Sequence, residues 1–199
     1  SDVQRRQMTT VSDSNVHNIA VRGTFDDCQA LVKAMFNDTR FRDEMRLSAV
    51  NSINWARVMA QIVYYCTAAA KFAGPVQFSV PTGNFGDVFA GYAAHAMGVP
   101  ISRLLVATNR NDILTRALTT GDYRVTKVEP TMSPSMDIQV SSNFERLLFD
   151  LTDRNGAAVQ GLMAKLATDG GFEIAPDDLA KARPLLVAET IDEEETLAT

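Results

Sequence analysis

The hydrophobic positions fall into short unbroken runs separated by longer segments of helical period. Gln77–Val80 and Leu104–Ala107 are apolar runs bounded by turn residues, the pattern of strands inside a sheet. Val16–Val21, centred on Ile19, Ala20 and Val21, reads as another strand, after a polar connection over Ser1–Asn15. Cys28, Leu31, Val32 and Met35 recur at i, i+3, i+4 and i+7 behind a capping box of Thr24 and Asp27. Phe41–Leu47 reads as a short charged helix. Along Ser52–Phe72, apolar residues from Ile53 to Cys66 leave little polar face, which predicts a helix buried on two sides and ended by Gly74-Pro75. Asp87–Met97 is a slim helix carrying Ala90, Gly91, Ala93 and Ala94, with Gly98 as C-cap. Asp112–Thr120 is a helix stopped by Gly121, and Thr126–Ile138 is a Pro- and Ser-rich loop. Phe144, Leu147, Leu148 and Leu151 mark a helix with Ser142 and Glu145 as its capping box. Ala157–Ala167 and Asp177–Leu186 read as further helices on either side of Gly170-Gly171.

Strands alternating with helices, the strands apolar throughout, predict an α/β fold: a three-layer αβα arrangement around a parallel sheet covered on both faces. Ile19, Phe78 and Leu105 are expected in parallel strands of that sheet. The sheet core is expected over about 16–125 and a helical extension over about 140–199.

Composition narrows the function. The chain has 199 residues, 46% hydrophobic and 22% charged, enough for one domain with its own core. A net charge of −5 argues against a nucleic-acid surface, which would be basic. The longest apolar run, Ile62–Ala70, is too short to span a bilayer. Cys28 and Cys66 cannot build a disulfide framework or a metal cluster and are expected as buried free thiols, which suits a cytosolic protein. His17 and His95 lack partnered carboxylates and are expected at the surface or packed. Trp55, Tyr64, Tyr65 and Phe72 are expected in the core, and the acidic tail Asp192–Glu195 as a solvated helix start or linker.

The chemistry concentrates in Ser79–Tyr92, SVPTGNFGDVFAGY. A strand, a turn with Gly83 and Gly86, and a helix N-terminus make an anion pocket. The first helical N–H groups lack partners and the peptide dipoles favour negative charge there. The dipole supplies only about 0.3–1 kcal/mol, so several N–H groups must converge. Gly83, Asn84, Phe85 and Gly86 are the candidate donors, with the Thr82 hydroxyl beside them and glycine supplying φ > 0 and close approach. Asp87 either serves the helix dipole or belongs to the site. Asn51, Ser52 and Asn54 open the preceding helix, and Thr108, Asn109, Asn111 and Asp112 follow the next strand. Each group either caps a helix or lines the carboxyl edge of the sheet, where ligands of open α/β sheets bind.

This stretch resembles the phosphate loop of the threonine synthases, which depend on pyridoxal 5′-phosphate (PLP) and carry [S/T]-V-P-[S/T]-G-N-F-G-D. GTFDDCQALVK at Gly23–Lys33, NSINWARVMAQIVYY at Asn51–Tyr65, ATNRNDI at Ala107–Ile113 and SPSMDIQVSSNFERLL at Ser133–Leu148 are similar to further family blocks in the same order. The resemblance implies a PLP-dependent enzyme of fold type II that converts O-phospho-L-homoserine and water to L-threonine and phosphate. It implies that Thr82, Gly83, Asn84, Phe85, Gly86 and Asp87 hold the cofactor phosphate, and that Asn51, Ser52, Asn54 and Asn109 face the substrate. The lysine that carries the cofactor in this fold belongs to an S-F-K-D-like motif N-terminal to all of these blocks, and a C-terminal T-A-H-P-A-K-F block supplies a group near the pyridine nitrogen. Neither motif occurs here, and Lys33, Lys71, Lys127, Lys165 and Lys181 stand in ordinary contexts. The chain, beginning at Ser1, therefore reads as an internal piece that contributes binding surface rather than catalysis by itself. A threonine dehydratase or cysteine synthase would share the fold but carry a loop richer in consecutive glycines. A non-catalytic domain of the same fold is the other alternative.

Overall fold

From its first helix the chain is built of short elements joined by tight caps. The computed structural model describes residues 2–22, 25–49 and 52–198, and these form two units, 1–48 and 49–199. The first holds α1 (Asp2–Met8), α2 (Phe25–Asn37) and α3 (Thr39–Met45). Asp38 caps α3 by accepting the Phe41 N–H at 3.0 Å. Two expectations change here. The stretch read as a polar connection contains α1, and Val16–Val21 forms no strand, with Ile19 85% exposed. Three central apolar residues bury too little area to hold an extended segment that has no neighbour among the described residues to pair its backbone. The Thr24 cap lies outside the described residues.

The second unit holds, in order, α4 (Trp55–Ala69), β1 (Val76–Pro81), α5 (Gly86–Ala96), β2 (Ile101–Thr108), α6 (Ile113–Thr120), β3 (Asp122–Arg124), a 3-10 turn (Pro134–Met136), α7 (Phe144–Leu151), α8 (Gly156–Asp169), β4 (Gly171–Glu173), α9 (Pro176–Ala182), β5 (Leu186–Thr190) and α10 (Glu193–Ala198). The parallel sheet runs β1-β2-β5, with Phe78 beside Leu104 and Leu104 beside Leu186. β5 begins at Leu186, where the helix read over Asp177–Leu186 was expected to end. Arg183 still sits in the right-handed helical region, but Pro184 behind it removes a backbone donor, so α9 stops at Ala182 and Leu186, Val187 and Ala188 extend. The stretch read as a helical extension thus contributes a strand to the core.

α5 and α6 lie on the sheet face that carries Leu104 and Thr108. A Cβ on Gly91 of α5 would sit 3.0 Å from Leu104 Cδ2, and Thr115 of α6 shares a hydrogen bond with Thr108 at 2.8 Å. The strand order always steps the same way, and right-handed crossovers that do so leave their helices on one side. Among the described residues the expected two-sided covering by helices is met on that side. On the other, Gln77, Ser79, Arg103 and Glu189 are exposed.

α4 departs from its reading in the same manner. It buries Val58, Tyr65 and Ala69 along one face, while Met59, Val63 and Tyr64 are exposed, as are Trp55 and Phe72. Tyr65 alone of the four aromatics expected in the core is there. α4 packs on α5 at the slim position Gly91, where a Cβ would stand 2.7 Å from the Tyr65 ring. Cys28 and Cys66 are free but only half-buried. His17 is exposed, and His95 places Nδ1 2.9 Å from the Ile101 carbonyl. The tail forms the expected helix start: Asp192 and Glu195 exchange backbone-to-carboxylate bonds at 2.8 and 3.2 Å.

A column of rings runs through the core. Phe85 meets Phe144 edge-on at 5.3 Å, Phe144 stacks on Tyr123 at 5.1 Å, and Tyr123 stacks on Phe172 at 4.8 Å. β3 and β4 pair antiparallel beneath it. Burial pushes the Tyr123 phenol up to about 12, although it accepts the Ser141 N–H at 2.8 Å. Burial, and secondarily the Asp87 charge, raises Tyr65 as well. The unfolded chain loses these protons near pH 10, while the native chain keeps them. Stability is therefore full below pH 10 and is lost as pH rises towards 12, by about 3 kcal/mol for Tyr123. Urea midpoints followed across that window should fall. Tyr123→Phe should remove part of the fall, and an unchanged slope in that variant refutes the assignment.

Candidate anion site at the end of β1

The anion site is made by the way β1 hands over to α5. Thr82 continues the ladder, its N–H donating to Ala107 O at 3.0 Å, and its hydroxyl accepts the Phe85 N–H at 3.1 Å. Phe85 then turns into the left-handed region at φ 60° and caps α5, with its carbonyl accepting the Phe89 N–H at 2.9 Å. The N–H groups of Gly83, Asn84, Gly86 and Asp87 have no acceptor among the described residues. The Phe85 N–H, expected with them, is turned inward to Thr82.

These groups open on a cavity of about 270 Å³, lined by Thr82, Gly83, Asn84, Gly86 and Asp87 together with Ser52, Arg57, Gln61, Ser135 and Met136. Neither glycine has positive φ; Phe85 takes that role. The glycines supply space. A Cβ on Gly83 would lie 3.1 Å from Met136 Cα and from Ile138 Cγ1, and one on Gly86 would lie 3.3 Å from Asn143 Nδ2.

Asp87 carries a buried Oδ1 with no hydrogen-bond partner. Burial raises its pKa, against the lowering effect of the neighbouring Tyr65 hydroxyl. That hydroxyl donates to the Asp87 backbone carbonyl at 2.9 Å and so holds the first turn of α5 from α4.

Asn143 fastens the loop from the other side. Its backbone N–H and its Nδ2 both donate to Asn84 O at 3.1 Å, and Nδ2 also reaches Ser52 O at 2.8 Å. Arg146 Nε donates to its Oδ1 at 3.1 Å. The capping box read for this helix is absent: Asn143 is the N-cap residue and makes no side-chain cap bond, while Ser142 Oγ bonds Asn84 Oδ1 at 3.1 Å.

Of the substrate-facing candidates, Ser52 lines the cavity. Asn54 caps α4, taking the Ala56 N–H at 2.9 Å and donating to Ala49 O. Asn109 is held elsewhere, its amide shared between Thr131 Oγ1 at 2.9 Å and Asp137 Oδ1 at 2.8 Å. Asn51 lies outside the described residues. Arg57 and Gln61 were not singled out from the sequence, although they stand four apart as polar interruptions of an apolar helix. A separate groove of about 850 Å³ runs past Trp55, Phe89, Phe149 and Met163, with the Arg146 guanidinium 5.3 Å above the Trp55 ring. Among the described residues no three His, Cys, Asp or Glu side chains converge as metal ligands, and no helix is long and apolar enough to cross a membrane.

No family model matches the chain. Over its whole length it is 55% identical to the threonine synthase of Pseudomonas aeruginosa, covering 43% of that protein. It is 45% identical to that of Saccharomyces cerevisiae, covering all of this chain and 42% of that one. Among solved structures, PLP-bound threonine synthase from Brucella melitensis superposes with a TM-score of 0.92 at 55% identity, over all of this chain and 44% of that one. The yeast enzyme gives 0.87 at 43% identity, over all of this chain and 42% of that one. The chain spans less than half the length of these relatives, and its fold over that span is theirs.

Proposed function

We propose that this chain, which belongs to the threonine synthase family, forms the cofactor-phosphate-binding part of a threonine synthase, a PLP-dependent enzyme converting O-phospho-L-homoserine and water to L-threonine and inorganic phosphate. The observation that carries this reading is the set of four unpaired N–H groups, on Gly83, Asn84, Gly86 and Asp87, converging at the start of α5. Oriented amides at a helix N-terminus fit a phosphate dianion, and the bare Cα atoms of Gly83 and Gly86 leave it room. When bound, PLP supplies an electron sink for proton removal from the amino-acid substrate.

The chain's own residues do the holding. Thr82 accepts the Phe85 N–H and keeps its own hydroxyl proton for a phosphate oxygen. Arg57 places a cation on the same cavity, the charge wanted beside an anion. Asp87 would repel a phosphate if ionised, and its raised pKa softens that conflict. The location read from the free thiols, the cytosol, remains part of this proposal.

Gly86→Val tests the site. Its branched side chain would project from a Cβ already 3.3 Å from Asn143 Nδ2 and 3.6 Å from Ser52 O, and it fills the cradle. In the intact enzyme the affinity for PLP, followed by titration of the apoenzyme, is expected to fall at least about tenfold, or 1.4 kcal/mol. An unchanged titration removes the site from the loop.

A further inference from the structure

The 126–139 loop has almost no regular structure, yet it forms one wall of the anion cavity. Ser135 and Met136 line the cavity, and Met136 Cα lies where a Cβ on Gly83 would be 3.1 Å away. A stretch of that kind needs a tether, and the structure supplies a dense one at Asp137. Oδ1 accepts Asn109 Nδ2 at 2.8 Å, Asn111 Nδ2 at 3.1 Å and Thr131 Oγ1 at 2.7 Å. Oδ2 accepts the Thr131 N–H at 2.8 Å. Two of these donors stand just beyond β2, which pairs with β1, the strand that leads into the anion loop.

The rest of the loop follows the same pins. Asn111 Oδ1 accepts the Glu129 N–H at 2.9 Å and Gln139 Nε2 at 3.3 Å, while its Nδ2 donates to Glu129 O at 2.8 Å. Gln139 Oε1 takes the Thr126 N–H at 3.2 Å. The network therefore closes both ends of the loop on the carboxyl edge of β2.

We propose that Asp137 is a positioning residue of the anion site: its carboxylate locks the 126–139 loop to the end of β2 and so sets Ser135 and Met136 as the wall against Gly83. The proposal rests on the reading of that cavity as a phosphate site. It assigns Asn109 and Asn111 to the loop's anchorage rather than to direct ligand contact.

Asp137→Asn is the sharpest probe because it keeps the shape. In either orientation of the new amide, an NH₂ faces N–H or O–H donors: three of them at the Oδ1 position, or the Thr131 N–H at the Oδ2 position. In the intact apoenzyme, calorimetric titration with PLP and with inorganic phosphate is expected to show about tenfold weaker binding, the size of one lost charge-assisted hydrogen bond. Unphosphorylated pyridoxal should bind as before, because the wall borders only the phosphate end. Unchanged phosphate binding, or equal weakening of PLP and pyridoxal, overturns the proposal. Gly86→Val, run beside it, separates the two levels. If Gly86→Val weakens phosphate binding and Asp137→Asn does not, this inference alone falls; if neither does, the phosphate reading falls with it. Should Asp137→Asn fail to fold, Thr131→Val removes one Oδ1 donor and keeps the Thr131 N–H. A few-fold loss confined to the phosphorylated ligands supports the proposal, and no loss overturns it.

Discussion

Asn143→Ala is expected to cost about 2–4 kcal/mol of stability and to weaken PLP binding in the same variant. Asn143 is 0% exposed, and its amide reaches the carbonyls of two half-buried residues, Ser52 O at 2.8 Å and Asn84 O at 3.1 Å. Alanine leaves Ser52 O without that donor and opens a void where the amide stood. An unsatisfied buried group costs about 1–3 kcal/mol, the carbonyl of half-buried Ser52 falls at the low end of that range, and the void left in the fully buried Asn143 position adds to it. Asn84 keeps one bond, from the Asn143 backbone N–H, so the loop loosens without being released. Asn143→Asp separates shape from chemistry. It conserves volume but sets carboxylate oxygen against both carbonyls in a buried place, and it should be worse than alanine. Urea unfolding of the three proteins, with PLP titration of each, is the measurement. Stability of Asn143→Ala within about 0.5 kcal/mol of the parent would remove Asn143 as the clamp.

What could be read in the sequence follows the range over which each signal acts. β1, the turn and α5 were legible because a short apolar run, two glycines and a small-residue helix adjoin within Val76–Ala96, so local rules decide them. Gly121 stops α6 in the left-handed conformation at φ 88°, again a one-residue signal. The failures are of the opposite kind. Ile19–Val21 has the composition of a strand but no pairing strand among the described residues, and pairing is a non-local property. Pro184 stands just before β5, but Leu186–Thr190 becomes a strand only by pairing with β2, far back in the chain. The exposed stripe of α4 at Met59, Val63 and Tyr64 could not be told from a buried one, because hydrophobicity records what a face prefers and not what covers it. Asn143 is the clearest case at the site. It stands between Ser142 and Glu145, the pair read as a capping box, with nothing local to mark it, and its bonds to Asn84 and Ser52 span 59 and 91 positions.

Phe85→Ala is expected to be the most destabilising single change at the site, by about 3–5 kcal/mol. Phe85 is a non-glycine residue at φ 60°, fully buried, in the turn where a glycine would be the easy choice. The left-handed conformation costs it about 1–2 kcal/mol, and the ring must return more than that. The return is visible in the core: the ring stands edge-on to Phe144 at 5.3 Å and 88°, the preferred geometry for an aromatic pair. The conformation matters because it reverses the chain between Thr82 and α5. It sends the Phe85 N–H inward to Thr82 Oγ1 and leaves those of Gly86 and Asp87 facing the cavity. Alanine loses the ring and keeps the backbone penalty, so the turn should relax and PLP affinity fall with stability. Phe85→Gly loses the ring but not the backbone preference, and should retain about 1 kcal/mol more than alanine despite the greater freedom of its unfolded chain. Phe85→Leu keeps most of the burial and should cost about 1–2 kcal/mol. Denaturant midpoints ordered Phe, Leu, Gly, Ala, with PLP affinity in the same order, are the expected result. Equal affinity across the series would mean that the donors are set by α5 alone and that the buried ring only fills the core.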